Sequence, residues 1–185
     1  MTFEDGATER FPAGTTAGEA LAAHARNGGG DRKAVARAIA ARVEGSATAI
    51  VDLARPLAAD CRLAPVAPES PAGLEVLRHS SAHLMAQAVK RLFPEAEITI
   101  GPVIENGFYY DFKRPGGFAA EDLPRIEETM RAIVQEDLPV RREEVPKTEA
   151  VRRFRALGEH YKVEIIEGIP DDTVSLYHQG EFVDL

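Results

Sequence analysis

Leu74-Glu75-Val76-Leu77-Arg78-His79-Ser80-Ser81-Ala82-His83-Leu84-Met85-Ala86-Gln87-Ala88-Val89-Lys90-Arg91-Leu92-Phe93 is the stretch on which the fold turns. Leu74, Leu77, Leu84, Ala88 and Leu92 recur at three-, four- or seven-residue steps, the period of an amphipathic helix. Leu77, Ser81, Leu84, Ala88 and Leu92 cluster on one side, which predicts the face that packs down. His79 and His83, four residues apart, stack on one another on roughly the opposite side, beside Ala86 and Lys90.

Downstream of this helix, Ile98 to Ile104, Asn106-Gly107 and Phe108 to Phe112 predict a hairpin, because Asn-Gly supplies the positive φ angles of a two-residue turn. Leu123, Ile126, Met130, Ile133 and Asp137 continue a second helical period, with Pro124 tolerable only in its first turn. Val140 to Val145 reads as a strand. Thr148 reads as the cap of a helix carrying Val151, Phe154 and Leu157 and ended by Gly158. Tyr161 to Ile169 is open between helix and strand. Val174 to Tyr177 and Glu181 to Leu185 flank Gln179-Gly180 as a further hairpin.

Upstream, Ala64-Pro65-Val66-Ala67-Pro68-Glu69-Ser70-Pro71-Ala72-Gly73 concentrates proline and reads as a linker, which divides the chain into residues 1–68 and 69–185. In the first segment, Thr2-Phe3, Asp5-Gly6 and Thr8 to Phe11 suggest a short hairpin. Thr16-Ala17-Gly18-Glu19 fits a capping box opening a helix to about Ala25. Asn27 to Gly30 is a loop. Ala38 to Val43, a Glu44-Gly45 turn, Ala49 to Asp52 and Cys61 to Leu63 suggest strands, with helix left open over the alanine-rich residues 34–41. The expected fold class is α+β: a small β-grasp (ubiquitin-like) unit, then a larger α+β unit with a long helix packed on an antiparallel sheet.

The 185 residues carry 22 Lys and Arg against 30 Asp and Glu, a net charge of −8. Residues 1–70 hold eight basic and nine acidic side chains, so the excess sits almost wholly after the linker. A chain this acidic is a poor match for non-specific coating of nucleic acid, where basic groups must replace phosphate counterions. The lone Cys61 excludes an internal disulfide framework and suggests a reducing compartment. No stretch approaches the roughly 20 apolar residues needed to cross a bilayer, and residues 1–14 are too polar for a signal peptide. A cytoplasmic protein without membrane partners is expected.

Three readings are open for His79 and His83: solvated surface side chains, a two-histidine metal half-site, or a pair that binds substrate and moves protons near neutral pH. Metal is disfavoured. Ser80, Ser81 and Ala82 leave no glutamate between the histidines, and nothing in the spacing of His160 or His178 recommends them as further ligands. Arg141-Arg142 and Arg152, Arg153 and Arg155 read as solvated clusters rather than phosphate sites.

Pro71 to Leu84 resembles the start of the editing domain of bacterial threonyl-tRNA synthetases. Ile100-Gly101-Pro102-Val103-Ile104-Glu105-Asn106-Gly107-Phe108-Tyr109-Tyr110-Asp111, Tyr161-Lys162-Val163-Glu164 and Tyr177-His178-Gln179-Gly180-Glu181-Phe182-Val183-Asp184-Leu185 match three further blocks in the same order. The first segment looks like the TGS domain that precedes editing in that family. In the family a Cys-x-x-x-His element follows the last block, and here the sequence stops at Leu185. The resemblance therefore implies an N-terminal piece of a longer enzyme, whose hydrolysis is expected to be reduced or absent relative to a longer chain.

What the resemblance implies is hydrolysis of the ester joining serine to threonine tRNA. Serine lacks one methyl of threonine, a difference that supplies only about 1–3 kcal/mol of discrimination, so a second pocket must remove the error. By analogy His79 and His83 contact the terminal adenosine and the attacking water. Lys162 orients or protonates the leaving ribose oxygen, Asp184 holds the seryl amino group or a water, and Tyr110 lines the pocket. Strand alternation allows only one of Tyr109 and Tyr110 to face it. No cofactor is expected in this piece, since ATP and zinc belong to the family's aminoacylation core. The expected partner is the 3′ end of seryl-tRNA(Thr), gripped weakly by this chain alone, and the family enzyme is typically a homodimer. The alternatives are a non-catalytic tRNA-contacting module and a free-standing trans-editing protein.

Overall fold

Thr16 opens the first helix by a reciprocal capping box. Its Oγ1 accepts from the Glu19 amide, and the Glu19 carboxylate accepts from the Thr16 amide, so two otherwise orphaned amides are satisfied. In the computed structural model, which describes residues 1–45 and 48–185, the chain divides into two units, Met1–Leu77 and Arg78–Leu185.

The first unit contains β1 (Thr2–Phe3), α1 (Ala17–Arg26), α2 (Arg32–Arg37), β2 (Ala40–Glu44), β3 (Thr48–Val51) and β4 (Arg62–Val66). Its sheet has the order β1-β4-β2-β3, with β1 parallel to β4 and the other neighbours antiparallel. Phe3, Leu63 and Ala41 from the sheet close on Ala17, Ala20 and Leu21 of α1. The residues left open between helix and strand divide at Ala38: α2 precedes it, β2 follows. The expected first hairpin is formed over a short span: the Phe3 amide donates to the Ala7 carbonyl at 2.9 Å, the Glu9 amide donates to the Met1 carbonyl at 3.0 Å, and Thr2 bridges Thr8, while β4 pairs with the other edge of β1. The expected Glu44-Gly45 turn begins a residue later, since Glu44 still belongs to β2 and pairs with Thr48; residues 46 and 47 lie outside the described residues.

The proline-rich stretch is not a linker. Pro65 lies in β4 opposite Ala41, and Pro71 begins the long helix α3 (Pro71–Leu92). Both placements suit a residue without an amide proton. β1 reaches only to Leu63, so beside Pro65 no strand on that edge asks for a donor, and the first helical turn has none to give within the helix.

His24 of α1 is buried but polar. Its Nδ1 lies 2.5 Å from Glu9 Oε1, its Nε2 lies 2.9 Å from Asp5 Oδ2, and its ring stacks on Phe3 at 3.8 Å. Burial works against a charged ring, but the two carboxylates outweigh it and raise the imidazole pKa above its ordinary value.

After α3 the second unit contains β5 (Glu97–Ile98), β6 (Val103–Ile104), β7 (Gly107–Phe108), β8 (Phe112–Lys113), α4 (Asp122–Gln135), β9 (Val140–Pro146), α5 (Lys147–Ala156), α6 (His160–Gly168), β10 (Thr173–Gln179) and β11 (Phe182–Asp184). The expected 98–112 hairpin is one ribbon with an interrupted ladder: β5 pairs with β8, β6 with β7, and scattered bonds join the residues between. Ile104 pairs with Gly107, so its turn is Glu105-Asn106, one residue earlier than the Asn-Gly reading. The three-stranded antiparallel sheet has the order β11-β10-β9, and α5 and α6 cover it through Phe154, Val163 and Ile166. Gln179 pairs with Phe182, which makes Gly180-Glu181 its turn. Thr148 does not cap α5; it lies inside the first turn, after Pro146 at the cap position. The stretch left ambiguous, Tyr161 to Ile169, is mostly α6.

The packed face of α3 follows the leucine stripe only in the second half of the helix, where Leu84, Ala88 and Leu92 join a core with Ile126 and Ile133, and it also takes in residues off the stripe. Ala82, Ala86 and Val89 are buried, with Ala82 and Ala86 against Ile98 and Tyr110, while Leu77 is 41% exposed. Alanines contribute little hydrophobic area each, yet they let neighbouring chain approach the helix closely. His79 and His83 therefore flank the packed face instead of lying opposite it.

Candidate functional site

Asp184, the last residue of β11, is fully buried and collects donors from three other elements. Lys162 Nζ lies 2.5 Å from its Oδ1. Tyr110 donates its phenolic proton to Oδ2 at 2.7 Å, and His83 Nδ1 stands 2.9 Å from the same oxygen, at ion-pair distance. The amide of Leu185 donates to Oδ1 at 2.8 Å. A buried carboxylate requires such company, since an unpaired charge of this kind is strongly destabilising. Burial pushes the Asp184 carboxyl up, but the hydrogen bonding of His83 and the charge of Lys162 overcome it and hold it at about 2. Burial and the neighbouring carboxylate both push the Tyr110 phenol up, so it remains a proton donor.

Each partner has a local reason for its position. Lys162 lies in the first turn of α6, 4% exposed, while Val163 and Ile166 of the same helix pack into the sheet core. The helix start is tied down by buried Glu159, which accepts from the Ile98 amide at 2.8 Å and pairs with Lys90 of α3 at 2.7 Å. That tie sets α6 against α3 and β5, and so sets Lys162 against the histidines. Tyr110 is held by a close approach: a Cβ on Gly101 would stand 2.2 Å from its ring, so only glycine fits there. Tyr109, 48% exposed, faces the other way, as strand alternation requires.

His79 extends the chain of contacts. Its Nε2 lies 2.8 Å from Nε2 of His83, close enough for the two rings to share one proton. With Nδ1 of His83 facing Asp184, its Nε2 faces His79, and the proton between the two rings can sit on either nitrogen. The continuous series is Lys162, Asp184, His83, His79. Both oxygens of Asp184 are engaged by protein groups, so its geometry serves to orient His83 and Lys162. A cavity of about 440 Å³ lined in part by Gln87, Lys90, Glu159, Phe182 and Val183 includes none of these four residues.

Thus the structure brings His79, His83, Lys162, Asp184 and Tyr110 together from four separate stretches of sequence. His160 and His178 are not near them in function: each is bonded to a carboxylate elsewhere, Glu97 at 3.1 Å and Glu143 at 2.9 Å. Among the described residues, no group of three or more His, Cys, Asp and Glu side chains is arranged to hold a metal ion. The arginine clusters are paired with glutamates, Arg142 with Glu144, Arg152 with Glu149, and Arg153 with Glu143 and Glu149. Glu159 and Lys90 were missed by sequence reasoning, because nothing in residue type separates a buried ion pair from two solvated charges.

No family model matches the chain. Individual relatives do. The chain is 47% identical over its full length to threonine--tRNA ligase of Citrifermentans bemidjiense, of which it spans 28%. It is 50% identical, again over all of its length, to threonine--tRNA ligase of Azoarcus sp. (strain BH72), also spanning 28%. Over 80% of the chain it is 54% identical to threonine--tRNA ligase of Acidithiobacillus ferrooxidans. These relatives put the chain among the aminoacyl-tRNA synthetases. Within that class it belongs with the threonine--tRNA ligases, and it spans a little over a quarter of the length of the relatives it matches over its full length. Among the described residues, no helix is long and apolar enough to cross a membrane.

Proposed function

We propose that residues 69–185 form an editing domain that hydrolyses the ester of seryl-tRNA(Thr), and that residues 1–68 form a TGS-like β-grasp domain. The observation that carries the first part is the buried Asp184 carboxylate joining His83 and Lys162, in a chain about half identical to threonine--tRNA ligases. The mixed sheet with α1 packed on it supports the second.

In this reading a water lies at His79 and attacks the seryl carbonyl carbon. His79 takes the water proton and shares it with His83, whose positive charge Asp184 stabilises. Negative charge develops on the carbonyl oxygen, and the role assigned to Lys162 is to orient the leaving ribose oxygen and to add positive charge to the site. The tetrahedral intermediate then collapses: the bond to the ribose oxygen breaks, that oxygen takes from the histidine pair the proton removed from water, and serine and uncharged tRNA leave. Tyr110 acts through Asp184. The substrate is the acylated 3′ end of tRNA(Thr), met in the cytoplasm, and no cofactor takes part in the step.

The test is to mix the chain with seryl-tRNA(Thr) and with threonyl-tRNA(Thr) and follow ester loss. The reading expects faster loss from the seryl substrate and its disappearance in His79→Ala and His83→Ala. Equal rates on the two substrates, full activity without the histidines, or no loss above the spontaneous rate in a longer chain that continues past Leu185 would each overturn it.

A further inference from the structure

The sheet face that carries Asp184 also carries a cross-strand row. Tyr177 of β10 pairs directly with Asp184 of β11 on one side and with Arg142 of β9 on the other. Residues directly opposite each other in an antiparallel sheet project from the same face, so the three side chains stand in line beneath the histidines. The Tyr177 ring centroid is 5.6 Å from that of His83, inclined at 41°, and 6.0 Å from that of His79, inclined at 66°. Both distances are those of interacting aromatic pairs. At the far end of the ring, the phenol interacts with the Arg142 guanidinium, which is itself fixed by Ser175 Oγ at 2.6 Å and Glu144 at 2.8 Å.

We propose that Tyr177 is a positioning residue for the histidine pair: a rigid wall, pinned at one end by Arg142, that sets the two imidazoles in their Nε2-to-Nε2 alignment and keeps His83 on Asp184. Two features give this its force. An imidazole turns about two side-chain bonds, and Asp184 constrains only the Nδ1 corner of His83. Tyr177 is the one aromatic ring in contact with both imidazoles among the ring pairs of the described residues. Losing the ring releases both imidazoles at once, whereas losing the hydroxyl alone leaves the wall in place.

The experiment reads the histidines directly. The Cε1–H resonances of His79 and His83 are followed against pH in the wild-type chain, in Tyr177→Leu and in Tyr177→Phe, with His24 and His160 as internal controls. Y177L is expected to move both resonances and their titration midpoints while the controls stay still, and Y177F to restore most of the wild-type positions. Should Y177L fail to fold, Tyr177→Met, an unbranched chain of comparable length, replaces it. Unmoved His79 and His83 resonances in the folded ring-less variant overturn the proposal, as do equal effects of Phe and Leu.

The kinetic part rests on the ester-hydrolysis reading: Y177L should lose about ten- to a hundredfold in kcat on seryl-tRNA(Thr), with KM changed far less, because alignment and not affinity is lost. If no form of the chain hydrolyses the ester, the resonances still decide the role of Tyr177, and the failure falls on the reaction alone.

Discussion

Lys162 Nζ and Asp184 Oδ1 lie 2.5 Å apart, with both side chains closed off from solvent. Neither charge has water to fall back on. Replacing Lys162 by Met leaves the carboxylate buried beside only neutral donors and His83, and should cost about 3–5 kcal/mol of stability. Urea unfolding measures it. The double variant Lys162→Met with Asp184→Leu should recover part of the loss, since it removes the orphaned charge; a purely additive loss would contradict the coupling.

Acid should act on the same pair. The Asp184 carboxyl is held at about 2 in the folded chain against 3.8 as its ordinary value. A depressed folded pKa gives stability that is complete above the ordinary value and is lost as pH falls toward the folded one. Wild-type stability should therefore decline between about pH 4 and pH 2 with a component that Asp184→Asn lacks. Parallel curves for the two proteins would contradict it.

His24 should show the opposite sign. Its folded pKa is raised above 6.5 by Glu9 and Asp5, against the effect of burial. Its contribution is complete below the ordinary value and is lost as pH rises through the folded one. Thermal unfolding of wild type and His24→Gln across pH 6 to 9 should show the gap between them narrowing as pH rises. A constant gap would mean that the ring works as packing on Phe3 alone.

Gly101 and Tyr110 give a steric test. Gly101→Ala places a methyl 2.2 Å from a ring carbon of Tyr110 and should expel the ring, which breaks the hydrogen bond to Asp184. Tyr110→Phe removes that bond alone, at about 1–3 kcal/mol for a buried polar group left short of a partner. The alanine variant should be the more destabilised of the two by urea unfolding. The reverse order would show that the ring has room to move.

Helix α1 offers a local control. Thr16→Ala removes the side-chain oxygen that the Glu19 amide requires and should lower stability by about 1 kcal/mol without disturbing the histidine resonances of the second unit.

How much of this was legible in the residues can be followed along α3. Its period was plain, its extent nearly right, and half of its stripe packs as expected through Leu84, Ala88 and Leu92, but the close packing of Ala82 and Ala86 was not legible, because leucines outweigh alanines in any hydrophobic count. The turns were each misplaced by a residue for a related reason: register is set by the whole ribbon, and Ile104 pairs with Gly107 regardless of where Asn-Gly would turn in isolation. The first hairpin was legible from Asp5-Gly6, but the pairing of β4 with the other edge of β1 was not, because the two strands are distant in sequence. The site residues were reached through ordered blocks of sequence and not through chemistry. Lys162 and Asp184 look like solvated charges until the fold shuts water out, and Tyr177 carries no mark at all until register sets it beside Asp184.

The buried carboxylate also has a temporal consequence. Tyr110 lies 74 residues before Asp184, His83 is earlier still, and Lys162 comes from a different helix, so all of these contacts close long loops. Contacts of such separation form late, after local helices and turns. A nascent or half-folded chain holds two histidines and a lysine but nothing to align them. The aligned cluster then forms in one step, when β11 docks, and is absent from any intermediate.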